Sequence, residues 1–328
     1  MRCGVLLPHF GSRSYPARML DSLEPIEGFG FDSIWVRDHF LYPPELPGDD
    51  GTFVDPIVVL AAAAASTRRV VLGTAVLAPH RHPVHLATLL SSLASLAGGE
   101  RLIVGLGTGS RTSEMVAAGL PATRRGRLLE EQVDVIRALW TSRTVDHRGP
   151  HYRLDQVRLS ADESLAHAQL WYGGITTRAV ERTVARFDGL LLSRLPIEVT
   201  EQRVALLRRR SAAQGRAAPP VGLVVQASPG HTRQEALRAV DVPRIIDQSA
   251  RYLNAEVTSP AGLLVAGTPA DLVAGLSELA RAGVDHVVLD MRARFADWED
   301  CLQLVGEAVL PELRRAGVLA PGTGRESC

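Results

Sequence analysis

Eight short apolar runs recur along this chain, each followed by a segment with helical spacing. No other feature limits its fold so strongly. The runs lie at 4–7, 33–36, 70–76, 102–106, 168–172, 189–192, 221–226 and 286–289, and each reads as a buried strand. Strands that are apolar on both faces and separated by helices belong to parallel sheets covered by helices. Most repeats take about thirty residues, the size of a strand–helix–strand crossover. Eight such units predict an α/β chain folded as a (β/α)8 TIM barrel. Two gaps are wider, from Leu106 to Ala168 and from Gln226 to His286. They place insertions after strands 4 and 7. A doubly wound sheet is the rival, but its Gly-x-Gly-x-x-Gly turn is missing after the first strand, where Leu7-Pro8-His9-Phe10-Gly11 stands. The expectation is one domain over 1–316, with 317–328 as a flexible tail.

Helix punctuation agrees with this layout. Asp55-Pro56 reads as N-cap and first helical residue, and Thr268 caps a helix over 269–282 that Gly283 stops. Further helices are expected at 16–27, 83–97, 125–140, 177–186, 198–213 and 296–316, and 231–252 reads as helical with a break near Pro243. Residues 144–159 read as an excursion holding a hairpin, and the Pro- and Gly-rich 42–52 reads as a lid or wall.

The charge balance is zero, 36 basic against 36 acidic residues, which gives no reason to expect a nucleic acid or a membrane as partner. With no leader pattern and no 18-residue apolar run, a cytoplasmic protein is expected. Cys3, Cys301 and Cys328 are scattered without metal spacing, so they read as reduced thiols and no metal site is expected. Every basic count is arginine. Without lysine, Schiff-base catalysis, pyridoxal-phosphate attachment and lysine-bearing phosphate loops are excluded.

A barrel gathers its strand ends on one rim, where active sites sit. Ser33-Ile34-Trp35-Val36 runs straight into Arg37-Asp38-His39. The other ends bring Thr74-Ala75-Val76, Gly107-Thr108-Gly109-Ser110-Arg111, Gly173-Gly174 with Thr176-Thr177, and Ser193-Arg194. This rim has many glycines and hydroxyls and few carboxylates. It lacks the ligand set of a metal hydrolase and the carboxylate pair of a glycosidase. It suits a flat, phosphate-bearing organic cofactor approached closely by backbone.

The ordered set Gly28 to His39, Asp55-Pro56, Leu72 to Val76, Gly105 to Gly109, Arg125 with Glu131, Leu139-Trp140, Gly173-Gly174, Phe187-Asp188-Gly189, Gly267-Thr268-Pro269 and Ala282-Gly283-Val284 resembles the bacterial luciferase-like monooxygenase family. Its similarity is greatest to the branch that uses the deazaflavin coenzyme F420. The resemblance implies a barrel, a homodimer, and a flavin or deazaflavin in the barrel mouth. It implies that Asp38 and His39 border the reactive ring and carry the catalysis. Ala75-Val76 falls where deazaflavin members have a non-prolyl cis peptide behind the ring. Gly107, Thr108, Gly109 and Ser110, with Gly173, Gly174, Thr176 and Thr177, match segments that hold the cofactor tail and phosphate. Arg111 and Arg125 are candidate charge partners, or else ordinary structural arginines.

Departures from the family's dehydrogenases are equally specific. Ser110 stands where they carry a proton-donating glutamate, and Tyr42-Pro43 occupy the place of a tryptophan. The lysine that binds a sugar phosphate is absent. The expected function is F420-dependent hydride transfer to or from a small organic substrate. The alternatives are a reduced-FMN monooxygenase fed by a separate reductase and a flavin-binding protein without catalysis. Asp38 is expected to set the tautomer of His39. The alanine run 61–65 and the neighbouring helix from Pro83 are expected to pack against a second copy.

Overall fold

The computed structural model of the chain describes residues 1–11, 16–41, 53–121, 123–159 and 168–320. The expected lid, 42–52, and Cys328 lie outside the described residues. The strands in order are β1 (Arg2–Leu6), β2 (Ser33–Val36), β3 (Val71–Thr74), β4 (Leu102–Gly107), β5 (Val145–Arg148), β6 (Arg153–Val157), β7 (Gln169–Gly173), β8 (Gly189–Ser193), β9 (Val221–Pro229), β10 (Leu264–Gly267) and β11 (His286–Asp290). Parallel pairing runs β9-β11-β1-β2-β3-β4-β7-β8 and returns from β8 to β9. The eight expected strands therefore close into a (β/α)8 barrel.

The insertions fall where expected. Between β4 and β7 the chain forms the helices Thr112–Ala117 and Arg125–Thr141 and the antiparallel hairpin β5–β6. After β9 it forms Arg233–Arg238, Val242–Leu253 and β10, which extends the upper end of β9 outside the barrel. No helix among the described residues is long and apolar enough to cross a membrane.

Two indoles fill the barrel. Trp35 on β2 and Trp171 on β7 lie 6.2 Å apart, and His286 on β11 meets both edge-on at 5.3 and 6.0 Å. None of these strands is paired with either of the others, so the rings meet across the interior. The polar atoms are satisfied locally. Trp35 Nε1 donates to Ser33 Oγ at 2.7 Å, and that oxygen lies 2.6 Å from His286 Nε2. Burial pushes the His286 imidazole down to about 3, so it is neutral. Glycine makes the room: a Cβ at Gly73 would enter the Trp35 ring, and at Gly189 or Gly222 the Trp171 ring.

Three expectations are corrected. The helix over 16–27 is two helices, Pro16–Asp21 and Leu23–Gly28, because Pro25 has no N–H for the Asp21 carbonyl. The third strand, 70–76, ends at Thr74. The next peptide, Ala75–Val76, is cis, and Leu77 then bridges to Leu106. The start of the tail is not loose. Leu319 is buried, Met1 N donates to the Val318 carbonyl at 2.9 Å, and Ala320 N donates to the Met1 carbonyl at 3.0 Å.

Gly73→Ala is expected to destabilise the fold by about 1–3 kcal/mol through overpacking. Gly28→Ala, where a methyl meets open space, should leave stability unchanged or raise it by up to about 1 kcal/mol. Urea midpoints measure both, and equal midpoints for the two variants would show that the indole packing does not limit position 73.

Candidate active site

The end of β2 delivers two ionisable side chains to different partners. His39 turns to the first insertion. Its Nδ1 lies 3.2 and 3.1 Å from the two carboxylate oxygens of Glu114, on the helix Thr112–Ala117. Glu114 also accepts from the backbone N–H groups of Phe40 at 3.0 Å and Leu41 at 3.3 Å. Arg111 closes this corner, donating to the Leu41 carbonyl at 2.8 Å and lying over the Phe53 ring. The His39 ring meets Phe53 edge-on at 5.2 Å, and its Nε2 is 3.4 Å from Arg37 Nη2.

The electrostatics define a protonation state. Burial lowers the His39 pKa below its ordinary value; Glu114 opposes this, and Arg37 and Arg111 add to it. Burial works to raise the Glu114 carboxyl, but His39 and the two backbone N–H groups outweigh it and hold it below the usual carboxylate range. At neutral pH the pair is a neutral imidazole and a carboxylate. A carboxylate only accepts, so Nδ1 carries the hydrogen and Nε2 carries the lone pair.

Asp38 turns the other way. Its carboxylate accepts from Arg81 Nη1 at 2.7 Å and Nη2 at 3.0 Å, and from the Ala78 N–H at 3.1 Å. Arg81 also bonds Asp55 at 2.8 Å, and that residue caps the helix Pro56–Ser66 as expected. Asp38 thus ties the end of β2 to the bulge after β3. The expectation that it sets the His39 tautomer is corrected: the carboxylate on the imidazole is that of Glu114. His80 completes this cluster, with Nε2 3.3 Å from Asp38 and 2.8 Å from Arg81 Nη1.

The opposite wall is glycine. At the cis peptide Ala75–Val76, the Val76 side chain packs onto Gly107 and Gly173, where any Cβ would collide with it. This brings three of the expected segments into contact. Beyond Gly107, Thr108 is half-buried, and Gly109 takes φ 72° while its carbonyl accepts from Arg125 at 2.8 Å. Arg125 therefore shapes the loop and does not pair with Glu130 or Glu131. Those two bond Arg182, and His147 with the backbone of 151–152. Ser110 is exposed. After half-buried Gly173 and Gly174, the Thr176 hydroxyl caps the helix Thr177–Arg186 by accepting from Ala179 N at 3.2 Å. The cap leaves the Thr177 and Arg178 N–H groups, which have no intrahelical partner, at the helix start.

Across the mouth, the end of β1 supplies His9 and Phe10. His9 Nε2 accepts from the Arg37 N–H at 2.8 Å and its Nδ1 donates to the Val54 carbonyl at 3.1 Å; burial pushes it down to about 4. Phe10 stacks on Phe53 and takes the guanidinium groups of Arg37 and Arg292 at 4.8 and 5.3 Å. Arg292 is also paired with buried Asp290.

Sequence reasoning missed Glu114, Arg81 and His80. One clue was available for the first. Glu114 is the only carboxylate between Gly105 and Leu129, inside an insertion that follows a strand end.

Comparison with known proteins gives three kinds of likeness. The model of the luciferase-like monooxygenase family matches residues 1–286. The F420-dependent glucose-6-phosphate dehydrogenase of Nakamurella multipartita is 36% identical over 149 residues, 44% of this chain and 42% of that protein. Two solved structures share the fold. An F420-dependent secondary alcohol dehydrogenase superposes with TM-score 0.79 at 18% identity, covering 95% of this chain and 99% of that one. The oxygenating constituent of 3,6-diketocamphane monooxygenase from Pseudomonas putida, in complex with FMN, superposes with TM-score 0.76 at 16% identity, covering 98% and 99%.

Arg81→Met should cost about 3–5 kcal/mol, because it leaves Asp38 buried with its counter-charge gone. The double variant Asp38→Asn/Arg81→Met should recover part of that loss. Chemical denaturation of the three proteins decides it; a cost below about 1 kcal/mol for Arg81→Met would class the contact with exposed ion pairs.

Proposed function

Because the chain belongs to the luciferase-like monooxygenase family, we propose that it is an oxidoreductase that exchanges a hydride between coenzyme F420 and a small organic substrate. The observation that carries this reading is His39, a neutral, nearly buried imidazole at the barrel mouth with a defined basic nitrogen. The F420-dependent relative supports the choice of cofactor.

The residues present fit such a group. Val76 covers Gly107 and Gly173, so the loop at 108–110 and the turn at Gly174 are the backbone left to meet a flat, phosphate-bearing molecule. The first N–H groups of the helix Thr177–Arg186, with Thr176 exposed just before them, fit the phosphate, and Ser110 is exposed on the loop after β4. Ala75 and Val76 would back the ring. Bound there, a deazaflavin supplies a carbon centre that takes or gives two electrons as hydride. His39 handles the accompanying proton at Nε2 once the 3.4 Å bond that this nitrogen accepts from Arg37 Nη2 gives way: oxidation of an alcohol group delivers its O–H proton there, and reduction of a carbonyl draws it back. Asp38 and Arg81 keep the end of β2 and the bulge after β3 in one arrangement. The Phe53 ring covers one edge of the imidazole and keeps water from that side of His39.

A second reading, the reduced-FMN monooxygenase with a separate reductase, is favoured by one observation. Ser110 is exposed and replaces the acid of the family's dehydrogenases. Separate titrations with oxidised F420 and FMN distinguish the two. Tighter binding of F420 is expected; equal or tighter FMN binding sinks the proposal and promotes the monooxygenase.

We also propose a homodimer. In the alanine run 61–65, Ala63 and Ala64 are buried within the chain itself. The outward apolar residues of this region are Val58 at 63%, Leu89 at 41% and Leu96 at 61% exposure, on Pro56–Ser66 and Pro83–Ala97. Light scattering at micromolar protein should give twice the chain mass of 35.3 kDa. A mass of one chain refutes the pairing.

A further inference from the structure

We propose that Glu114 is the positioning residue of this site, holding the His39 imidazole by Nδ1–H so that Nε2 is its basic atom. The proposal deepens the functional reading above and rests on it for the claim that His39 moves a proton.

Three observations support it. First, the carboxylate cannot swing away cheaply. The N–H groups of Phe40 and Leu41 bind one of its oxygens, and His39 Nδ1 lies within 3.2 Å of both. Second, Glu114 is buried, with 3% of its side chain exposed, and His39 with 12%, so water does little to screen the pair. Third, Glu114 is the anion among the charges that act on His39. From its own strand end, Arg37 faces it; from the loop after β4, Arg111 does; from the end of β1, neutral His9 does. Phe53 contributes a ring without charge. Both arginines disfavour a proton on His39. Only Glu114 restores the proton affinity that a base needs.

The residue lies four positions beyond Ser110 and on a helix of the first insertion. It does a different task from a proton donor on the loop itself. It touches no reacting atom and works through the imidazole.

The test uses the cofactor-free protein labelled with 15N-histidine, with the His39 resonances identified by their loss in His39→Asn. In the unaltered protein, His39 should be an Nδ1–H tautomer. In Glu114→Gln, which keeps the side-chain length and an acceptor for Phe40 and Leu41, the His39 pKa should fall by about 1–3 pH units. The sign follows from the charges: without the anion, two cations remain to oppose protonation. An unchanged His39 pKa in Glu114→Gln overturns the proposal. Should that variant not fold, the unaltered protein still decides, since an Nε2–H tautomer there also overturns it. Neither readout involves cofactor or substrate. Failure of F420 to bind would leave these results standing, and their failure would leave the cofactor assignment standing.

Discussion

A ring of eight parallel strands encloses a volume that side chains must fill, and in this chain two indoles fill it. That constraint reaches far along the sequence. Trp35 and Trp171 meet inside only because positions 73, 189 and 222 carry no side chain. Their packing against buried, neutral His286 fills the lower barrel with uncharged rings. Trp35 is also one residue from the end of β2, so the side chain that fills the barrel fixes the height at which the strand releases Asp38 and His39.

The strands were legible because parallel barrel strands are buried on both faces and stand out as apolar runs. The hairpin and the capped helices were legible because their determinants are local: Asp55-Pro56, and Thr268 with Gly283, are all within a turn of what they control. The helix break at Pro25 was also local, but the apolar spacing of Met19, Leu23 and Ile26 concealed it. Periodicity reports which face is buried and says nothing of a missing N–H.

The site was half legible for a related reason. Glycines at strand ends and the His39 position are features of single segments. The pairings that give those residues their chemistry are not. Glu114 is 75 positions from His39 and Arg81 is 43 from Asp38, and no periodicity joins them. Adjacency in sequence suggested that Asp38 serves His39. Successive residues leaving a strand point to different sides, and here one faces Arg81 while the other faces Glu114.

The result is a mouth with two unlike walls. On the side of β3, β4 and β7, Val76 fills the space over Gly107 and Gly173, and backbone lines the surface. On the side of β1, β2 and β11, rings and guanidinium groups alternate with Glu114 and Asp290. Burial works to raise the Asp290 carboxyl, but Arg292 beside it outweighs that, and the carboxyl is held below the ordinary range. Glu114 and Asp290 therefore both stay ionised, each through a neighbouring donor or cation. His39 is pulled one way by burial and two arginines and the other way by Glu114, and its pKa is lowered. That balance sits on the charged wall, across the mouth from Val76 and the glycines it covers.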